Sequence, residues 1–146
     1  MSYAIETSIS DTRQAIEPLV NTAWVTDLGY ATDTIAWPNA GFDPPGNGPW
    51  LRVSFSDQSS TPFSWGGGTV LNTAIGVLQL QIFVPRNIGA ALLNTATDKL
   101  RSTFERQSFD SGIRFREAFG PSHPPDQRWA VALLQLPFEF YEAITL

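Results

Sequence analysis

The chain has 146 residues, 9 basic and 14 acidic side chains, a formal net charge of −5 and no cysteine. This length predicts a single domain, residues 1–146. The absence of cysteine excludes disulfide frameworks, thiol catalysis and cysteine zinc sites. The acidic balance argues against a protein that grips nucleic acid by neutralising phosphates. Charged residues make up 16% of the chain and aromatic residues 12%, whereas charged residues average about 25%, so we expect apolar surface that a partner covers.

The sequence carries no obvious targeting or membrane segment. No apolar run approaches the roughly 18 residues that a transmembrane helix needs. The first residues, Met1 to Glu6, lack the basic and apolar regions of a signal peptide. We therefore expect a protein made in a cytoplasm, with no membrane partner.

The N-terminal third combines a helical pattern with a long connection. Apolar residues recur every three or four positions over roughly 3–24, which predicts an amphipathic helix. Pro18 conflicts with an unbroken helix, so we expect an end or a kink near Ile16. Residues 25–49 are expected to be mostly loop, with a short strand at 35–37.

The middle of the chain predicts one long β-hairpin. Residues 50–56 and 76–84 alternate between apolar and polar side chains, as half-buried strands do. The connecting residues 57–75 are rich in Ser, Thr and Gly and carry two large apolar side chains, Phe63 and Trp65. A connection of this length is long for an idle hairpin loop. We therefore expect it to form an arm, either a flexible tip or a mobile segment that orders on a partner.

The second half predicts a helix and two further strands. Five apolar residues lie four positions apart in the predicted helix 88–106: Ile88, Leu92, Ala96, Leu100 and Phe104. We expect Leu92, Leu100 and Phe104 to pack on Leu78, Leu80 and Ile82 of the hairpin. Residues 113–119 alternate, with Arg114 and Arg116 outward, and a proline-rich turn follows at 121–125. The last predicted strand, 129–141, is apolar on both faces, and Pro137 indicates an edge position or a bulge.

Together these elements predict an α+β fold. The expected order is helix, two strands, helix, two strands (α-β-β-α-β-β), with two helices packed on a mixed, mainly antiparallel β-sheet and a long β-hairpin arm.

No set of residues predicts catalysis. His123 is the single histidine and lies in a proline-rich loop without a nucleophile and an orienting acid beside it, so we interpret it as a solvated side chain. Glu139 and Glu142 are three positions apart in a strand and so point to opposite faces, which does not suit a glycosidase pair. No cluster of Asp, Glu and His has metal-ligand spacing. We therefore expect no enzyme activity, no cofactor and no metal.

Two groups of residues are candidates for partner binding. The first is the arm, where Phe63 and Trp65 are apolar anchors and the adjacent glycines let the chain bend to place them: Gly66, Gly67 and Gly68. The second is the outward strand face, with Trp50 and Arg52 on one strand and Arg114 and Arg116 on another. A solvated strand surface remains the alternative for the second group.

A series of short segments, in this order and spacing, resembles a known family. An N-terminal helix opens the chain, and a glycine-rich arm separates the second and third segments. The segments are Trp37-Pro38-Asn39 with Phe42, Pro49 to Val53, Val84 to Ala90, Leu100 to Arg106, Arg128-Trp129, and Pro137 to Glu142. Over nearly the whole chain this pattern resembles the small tail terminator proteins of long-tailed bacteriophages, the group that includes the lambda minor tail protein U type.

This resemblance implies a structural virion protein. Such proteins form a ring, usually hexameric, on the head-proximal end of the finished tail tube. The ring stops further tube subunits from adding and offers a surface to the head–tail connector. The implied partners are copies of the same chain, the major tail tube protein and a neck or connector protein, while phage DNA passes through the lumen without specific binding. The implied location is the virion tail, with host cytoplasm during assembly.

Two alternatives stay open at this stage. The chain could be another phage neck or tail component, either a head-completion protein or the tube subunit itself, because these share a helix-plus-sheet architecture. A small enzyme or ligand-binding domain is the other alternative, which would need a concave pocket with convergent polar groups.

Overall fold

The computed structural model describes residues 4–5, 9–56, 59–66, 69–88, 90–109 and 112–145, and for 4–5, 9–11, 59–66, 69–72 and 141–145 it describes the backbone only. Two α-helices are present in these residues: α1, Ile9–Asn21, which continues directly into a π-helical segment, Thr22–Asp27, and α2, Ala90–Phe104. A short 3₁₀ turn spans Thr32–Thr34.

Eight strands of the described residues join one sheet. They are β1 Ala4–Ile5, β2 Ile35–Ala36, β3 Trp50–Phe55, β4 Ser59–Gly66, β5 Thr69–Pro85, β6 Arg114–Phe115, β7 Phe119–Ser122 and β8 Trp129–Thr145. The main order is β1-β8-β5-β3-β2, with β4 on β5 and with β6 and β7 on β8. Every pair is antiparallel except the parallel pair of β2 and β3. The predicted α+β class and the mixed, mainly antiparallel sheet are confirmed. The sheet contains more strands than were predicted.

The long hairpin is confirmed, but its arm is a pair of strands and not a loop. β3 and β4 follow one another along the same edge of β5, from Trp50↔Phe83 at one end to Gly66↔Thr69 at the other. The central strands β5 and β8 pair along their whole length, from Thr69↔Thr145 to Pro85↔Trp129. Because β5 pairs with β8 beyond its predicted end and β4 pairs with β5, the Ser- and Thr-rich residues join the sheet without an apolar alternation of their own.

The first helix continues through Pro18 rather than ending before it, and it begins at Ile9 rather than near residue 3. A proline inside a helix costs roughly 3 kcal/mol. The side chains of Ile16, Val20 and Trp24 are each 0% exposed, and burying each contributes roughly 1.5–3 kcal/mol. Burial of this face therefore outweighs the lost hydrogen bond.

The second helix is in the predicted place, but the predicted phase of its apolar face is partly wrong. Leu100 and Phe104 are fully buried as expected, whereas Ile88 is 42% and Leu92 36% exposed. Leu93 takes the inward position instead, at 4% exposure. The reason is geometric: with 3.6 residues per turn, a spacing of four advances about 40° at each step, so a stripe of strict fours winds around the helix.

The predicted strand 113–119 is interrupted. Ile113 and Phe115 are buried as predicted, but the chain leaves the sheet after β6, Ala118 turns inward and Phe119 is 62% exposed. The turn predicted at 121–125 begins later, because β7 extends to Ser122.

Pro137 lies opposite this interruption. Its carbonyl accepts the Arg116 N–H at 2.9 Å, so its missing N–H faces the gap between β6 and β7. No ladder bond is lost there, because Pro137 faces a local edge of the strand, the first of the two predicted alternatives, and its register with β5 shows no bulge.

The helices and one face of the sheet enclose the main core. Its fully buried sheet residues are Leu51, Leu78, Leu80, Ile82, Val84, Ala132, Leu134, Leu136 and Phe138. Phe104 of α2 and Phe115 approach each other at 5.1 Å between ring centroids, and Phe115 is 5.4 Å from Phe138. The sheet therefore has one helix-covered face, and its other face is left for other contacts.

Candidate interaction surface

The face of the sheet opposite the helices carries a mixture of polar and aromatic side chains. Alternate residues of a strand point to opposite faces, so the neighbours of the core residues project here. The small apolar cluster on this face contains no residue of either helix; its members are Ala36, Trp50, Phe83, Trp129 and Val131, with Phe42 packed against them. We call this side the helix-free face.

An aromatic cluster occupies one end of the helix-free face. The rings of Trp50 and Phe83 stack with centroids 3.9 Å apart, and Trp129 meets Trp50 edge-on at 5.9 Å. The exposed guanidinium of Arg52 lies 5.4 Å from the Trp50 ring and 5.9 Å from that of Phe83. Trp50 itself is only 4% exposed. Two residues of β3 were predicted to bind a partner. Of these, Arg52 is exposed and can contact a partner, whereas Trp50 is buried and packs beneath Arg52.

The centre of the helix-free face is polar and half-buried. Ser54 donates to Gln79 Oε1 at 3.3 Å, and Gln79 is opposite Gln135 of β8. Exposed apolar side chains flank this row, with Phe119 at 62% and Ile75 at 36% exposure. Apolar side chains among polar ones are typical of surfaces that protein partners cover.

Arg114 and Arg116 lie next to the other end of the helix-free face. Arg114 is opposite Glu139 of β8 in the strand register. The carboxylate of Glu139 instead pairs with Arg116, at 2.5 Å. Arg114 is exposed and has no carboxylate partner among the described residues. The two arginines thus differ: Arg116 is held in an ion pair, and the charge of Arg114 is available to a partner.

The arm places the remaining candidates on or next to β4. Trp65 is opposite Val70 and Gly66 opposite Thr69 in the antiparallel register with β5. Phe63 is the extra residue where the register shifts between Pro62 and Ser64, a β-bulge. The predicted candidates Gly67 and Gly68 lie outside the described residues.

The arm belongs to a ribbon that is longer than the helical layer. β5 and β8 each contain 17 residues, which corresponds to roughly 55 Å. The longer helix, α2, contains 15 residues, or roughly 22 Å. The two helices cannot cover the full length of the ribbon, so part of it remains available for contacts with other chains.

An electropositive pocket at the opposite end of β5 was not predicted from the sequence. Arg86 follows β5 directly, and its guanidinium donates to the backbone carbonyl of Asp126. The guanidinium of Arg128 lies 5.2 Å from the Trp129 ring. Arg86 and Arg128 line one pocket together with Pro125, and His123 lines an adjoining pocket that shares Arg86 and Pro125 with it and also contains Pro124 and the first residues of α2. We call these two adjoining pockets together the pocket of Arg86, Arg128 and His123. Arg86 and Arg128 are far apart in the sequence, so no sequence pattern indicated that the two charges share a pocket.

Asp126, the acidic residue of this pocket, is hydrogen-bonded to the backbone. Asp126 Oδ1 accepts the N–H groups of Arg128 at 2.9 Å and Trp129 at 3.0 Å. These two hydrogen bonds lower the pKa of the Asp126 carboxyl, with a smaller contribution from the charge of Arg86. The carboxylate fixes the loop before β8 and does not form an ion pair with either arginine.

A second carboxylate ties the interrupted edge of the sheet to α2. Glu105 accepts from the Arg101 guanidinium at 3.0 Å and from the Ala118 N–H at 2.7 Å. These bonds lower the pKa of the Glu105 carboxyl, the Arg101 contact first. Glu105 therefore stabilises the segment between β6 and β7.

The described residues contain no group of three or more His, Asp or Glu side chains that could hold a metal ion. Within the same residues, neither helix combines the length and the apolarity needed to cross a membrane. What the described surfaces offer is protein contact: a ribbon, an aromatic and polar sheet face, and a basic pocket.

Comparison with known proteins places this architecture in a family. The family model described as phage tail terminator protein matches residues 13–133. A solved structure that carries no functional name is similar over 92% of this chain and 96% of its own, with 18% identity and a TM-score of 0.61. At that identity the likeness shows the fold alone. No curated protein matches the chain.

Because the family model covers most of the 146 residues, the chain belongs to the phage tail terminator family. It is a structural protein of the phage tail and so a virion component, and its family is structural rather than catalytic. A terminator's role implies contacts with tail and head components, which agrees with the resemblance found in the sequence.

Proposed function

We propose that this protein forms a ring of about six copies on the head-proximal end of the tail tube, stops tube polymerisation and offers a surface for joining the head. The match of residues 13–133 to the tail terminator family carries this proposal. The ring assembles during phage growth in the host cytoplasm, remains in the virion and acts without catalysis.

The two edges of the sheet are consistent with assembly of several copies into a closed ring. One edge ends in β2, which pairs only Ile35 and Ala36 with β3, so the second half of β3 has no neighbour on that side among the described residues. The other edge is formed by the two-residue strands β1 and β6 and the short β7. These short strands limit open-ended strand pairing at this edge, whereas β4, which pairs only with β5 among the described residues, offers a longer edge to another chain. Head-to-tail contacts between unlike surfaces close into a ring when the rotation between copies permits.

The arm is the proposed contact to the tube or to a neighbouring copy. β4 is the outer strand of the arm, and in its eight residues, Ser59–Gly66, it has no charged side chain. Phe63 and Trp65 are the apolar anchors of this contact, and Gly66, Gly67 and Gly68 let the tip of the arm adapt.

The helix-free face supplies the second part of the surface. Arg52 and Arg114 are exposed charges near its two ends, while Trp50 and Arg116 are held in place by their own contacts. DNA passes through the ring without specific recognition, because the net charge of −5 opposes strong binding to phosphates.

Deletion of the gene from its phage tests the termination function. We expect overlong tails that fail to join filled heads, with normal heads in the same lysate. Electron microscopy measures tail length and joining, and purified protein added to the lysate should restore both. Tails of normal length in the deletion mutant would contradict the proposal. Absence of any tube would indicate the tube subunit instead.

A further inference from the structure

The pocket formed by Arg86, Arg128 and His123 has a charge that contrasts with the rest of the molecule. Four of the other cationic side chains are paired with carboxylates: Lys99, Arg101, Arg106 and Arg116. Arg86 and Arg128, like Arg52 and Arg114, have no carboxylate within ion-pair distance among the described residues, but only Arg86 and Arg128 line one pocket together.

Both guanidinium groups are held in place by uncharged partners. Arg86 is oriented by the backbone carbonyl of Asp126, and Arg128 by the face of the Trp129 ring, 5.2 Å away. Trp129 is 7% exposed and belongs to the aromatic cluster. Such contacts reduce the side-chain entropy that an arginine loses on binding, and neither arginine forms an ion pair, although the charge of Arg86 interacts with the Asp126 carboxyl.

The part of the pocket beside His123 is mainly apolar and is lined by Pro124, Pro125 and by Ala90 and Leu93 of α2. The part that contains Arg128 is lined by the polar residues Asp126 and Gln127 as well. Two further apolar side chains, Ile88 and Leu92, are exposed at the start of α2, at 42% and 36%. A surface with two positioned arginines beside apolar side chains suits a peptide segment that carries both carboxylates and aliphatic residues.

The pocket and the tip of the arm lie at opposite ends of β5. The arm ends where Thr69 begins the strand, and Arg86 follows Pro85 at its other end, roughly 55 Å away. When the arm contacts the tube, the pocket can lie on the opposite face of the ring. The position of the pocket on the opposite face of the ring rests on the proposed function.

We infer that the pocket of Arg86, Arg128 and His123 is the docking site for an acidic, aliphatic segment of the head-side connector protein. The two guanidinium groups bind its carboxylates, and the prolines and the start of α2 contact its apolar side chains. Guanidinium groups bind phosphate as well as carboxylate, but a protein segment fits better than nucleic acid, because the apolar lining matches aliphatic side chains and the net charge of −5 opposes binding of a phosphate backbone.

The test compares two double variants that each make the net charge more negative by two. R86Q/R128Q removes both positive charges from the pocket, and T95E/S102E adds two negative charges at exposed positions of α2. Tails assembled with each variant are purified, their lengths are measured by electron microscopy, and they are mixed with filled heads over a range of salt concentrations. R86K/R128K retains the charge.

We expect R86Q/R128Q tails to have normal length but to join heads about tenfold or more slowly at low salt, since charge steering accelerates association by this order. T95E/S102E should join normally, and R86K/R128K should recover most of the rate. Joining at the wild-type rate by R86Q/R128Q would overturn the inference. Overlong tails would assign the pocket to the tube, and loss of the ring would assign it to a neighbouring copy.

A binding measurement with a fluorescent DNA duplex tests whether the pocket binds nucleic acid instead of a protein segment. We expect no difference between the wild type and R86Q/R128Q in this assay. Duplex binding that disappears in R86Q/R128Q would overturn the inference of a protein partner. A wild-type protein that leaves tails overlong would contradict the proposed function itself, independently of the pocket.

Discussion

Two buried tryptophans differ in what their indole N–H groups contact. Trp24 Nε1 donates to Thr34 Oγ1 at 2.8 Å, and Trp24 is fully buried. Trp50 Nε1 is buried without an acceptor, and an unsatisfied donor of this kind costs about 1–3 kcal/mol. The stacked ring of Phe83 and the guanidinium of Arg52 stabilise Trp50 instead. Trp50 is therefore held by ring contacts, which makes the helix-free face sensitive to changes at Phe83.

Phe104 and Leu92 provide a matched test of the packing of α2. Phe104→Ala removes a fully buried ring and should lower the free energy of unfolding by roughly 3–5 kcal/mol. Leu92→Ala changes a side chain that is 36% exposed and should cost about 1 kcal/mol or less. Urea denaturation at equilibrium measures both. Equal losses in the two variants would show that the observed phase of the helix is wrong.

Glu105 should make stability depend on pH. Its pKa is lowered in the folded protein from an ordinary value of 4.5. The stabilisation is therefore complete above 4.5 and is lost as the pH falls through the folded value. Glu105→Gln should lower the melting temperature near neutral pH, and the difference from the wild type should narrow below 4.5. A difference that stays constant over the whole range would contradict this role.

Individual contacts were harder to predict than the elements that carry them. The pairing of Arg101 with Glu105 is one that a spacing of four in a helix allows. The contact of Arg86 with Asp126 joins residues 40 positions apart, and it arises only because β8 pairs with β5. A local pair of this kind can be inferred from the spacing of residues along a helix, whereas the pocket depends on strand pairing and was missed.

At the scale of elements, periodicity predicted the position of α2, the strand at 35–37 and the two strands at 50–56 and 76–84. It did not predict the strands of the arm, because Ser59–Gly66 lacks an alternating pattern and is ordered by pairing with β5. The start of α1 was also missed. The strands of the arm and the start of α1 both depend on long-range strand pairing, which no local sequence pattern indicates.

The arm can be tested without removing its backbone pairing. Phe63→Ser/Trp65→Ser should leave the melting temperature within a few degrees of the wild type, because backbone hydrogen bonds hold β4 on β5. It should nevertheless produce overlong tails or tails that fail to join heads. Phe63→Leu/Trp65→Phe, which retains apolar side chains, is the control. A large drop in melting temperature with normal tail length in the folded fraction would show that both rings pack on their own sheet.

At the scale of the whole molecule, the two proposed contact surfaces lie at opposite ends of one long strand. The arm lies at one end of β5, and the pocket of Arg86, Arg128 and His123 lies at the other. A protein that contacts two different neighbours along one axis needs two such separate surfaces. Family membership could be anticipated from the order of short motifs, whereas the separation of the surfaces follows only from the strand register.

Cryo-electron microscopy of tails purified from the phage tests the central claim most directly. The proposal predicts one ring of this protein, with about six copies, at the head-proximal end of each tube. Each arm should contact the last ring of tube subunits or the adjacent copy. Density for this protein repeated along the tube, or isolated single copies at its end, would contradict the account.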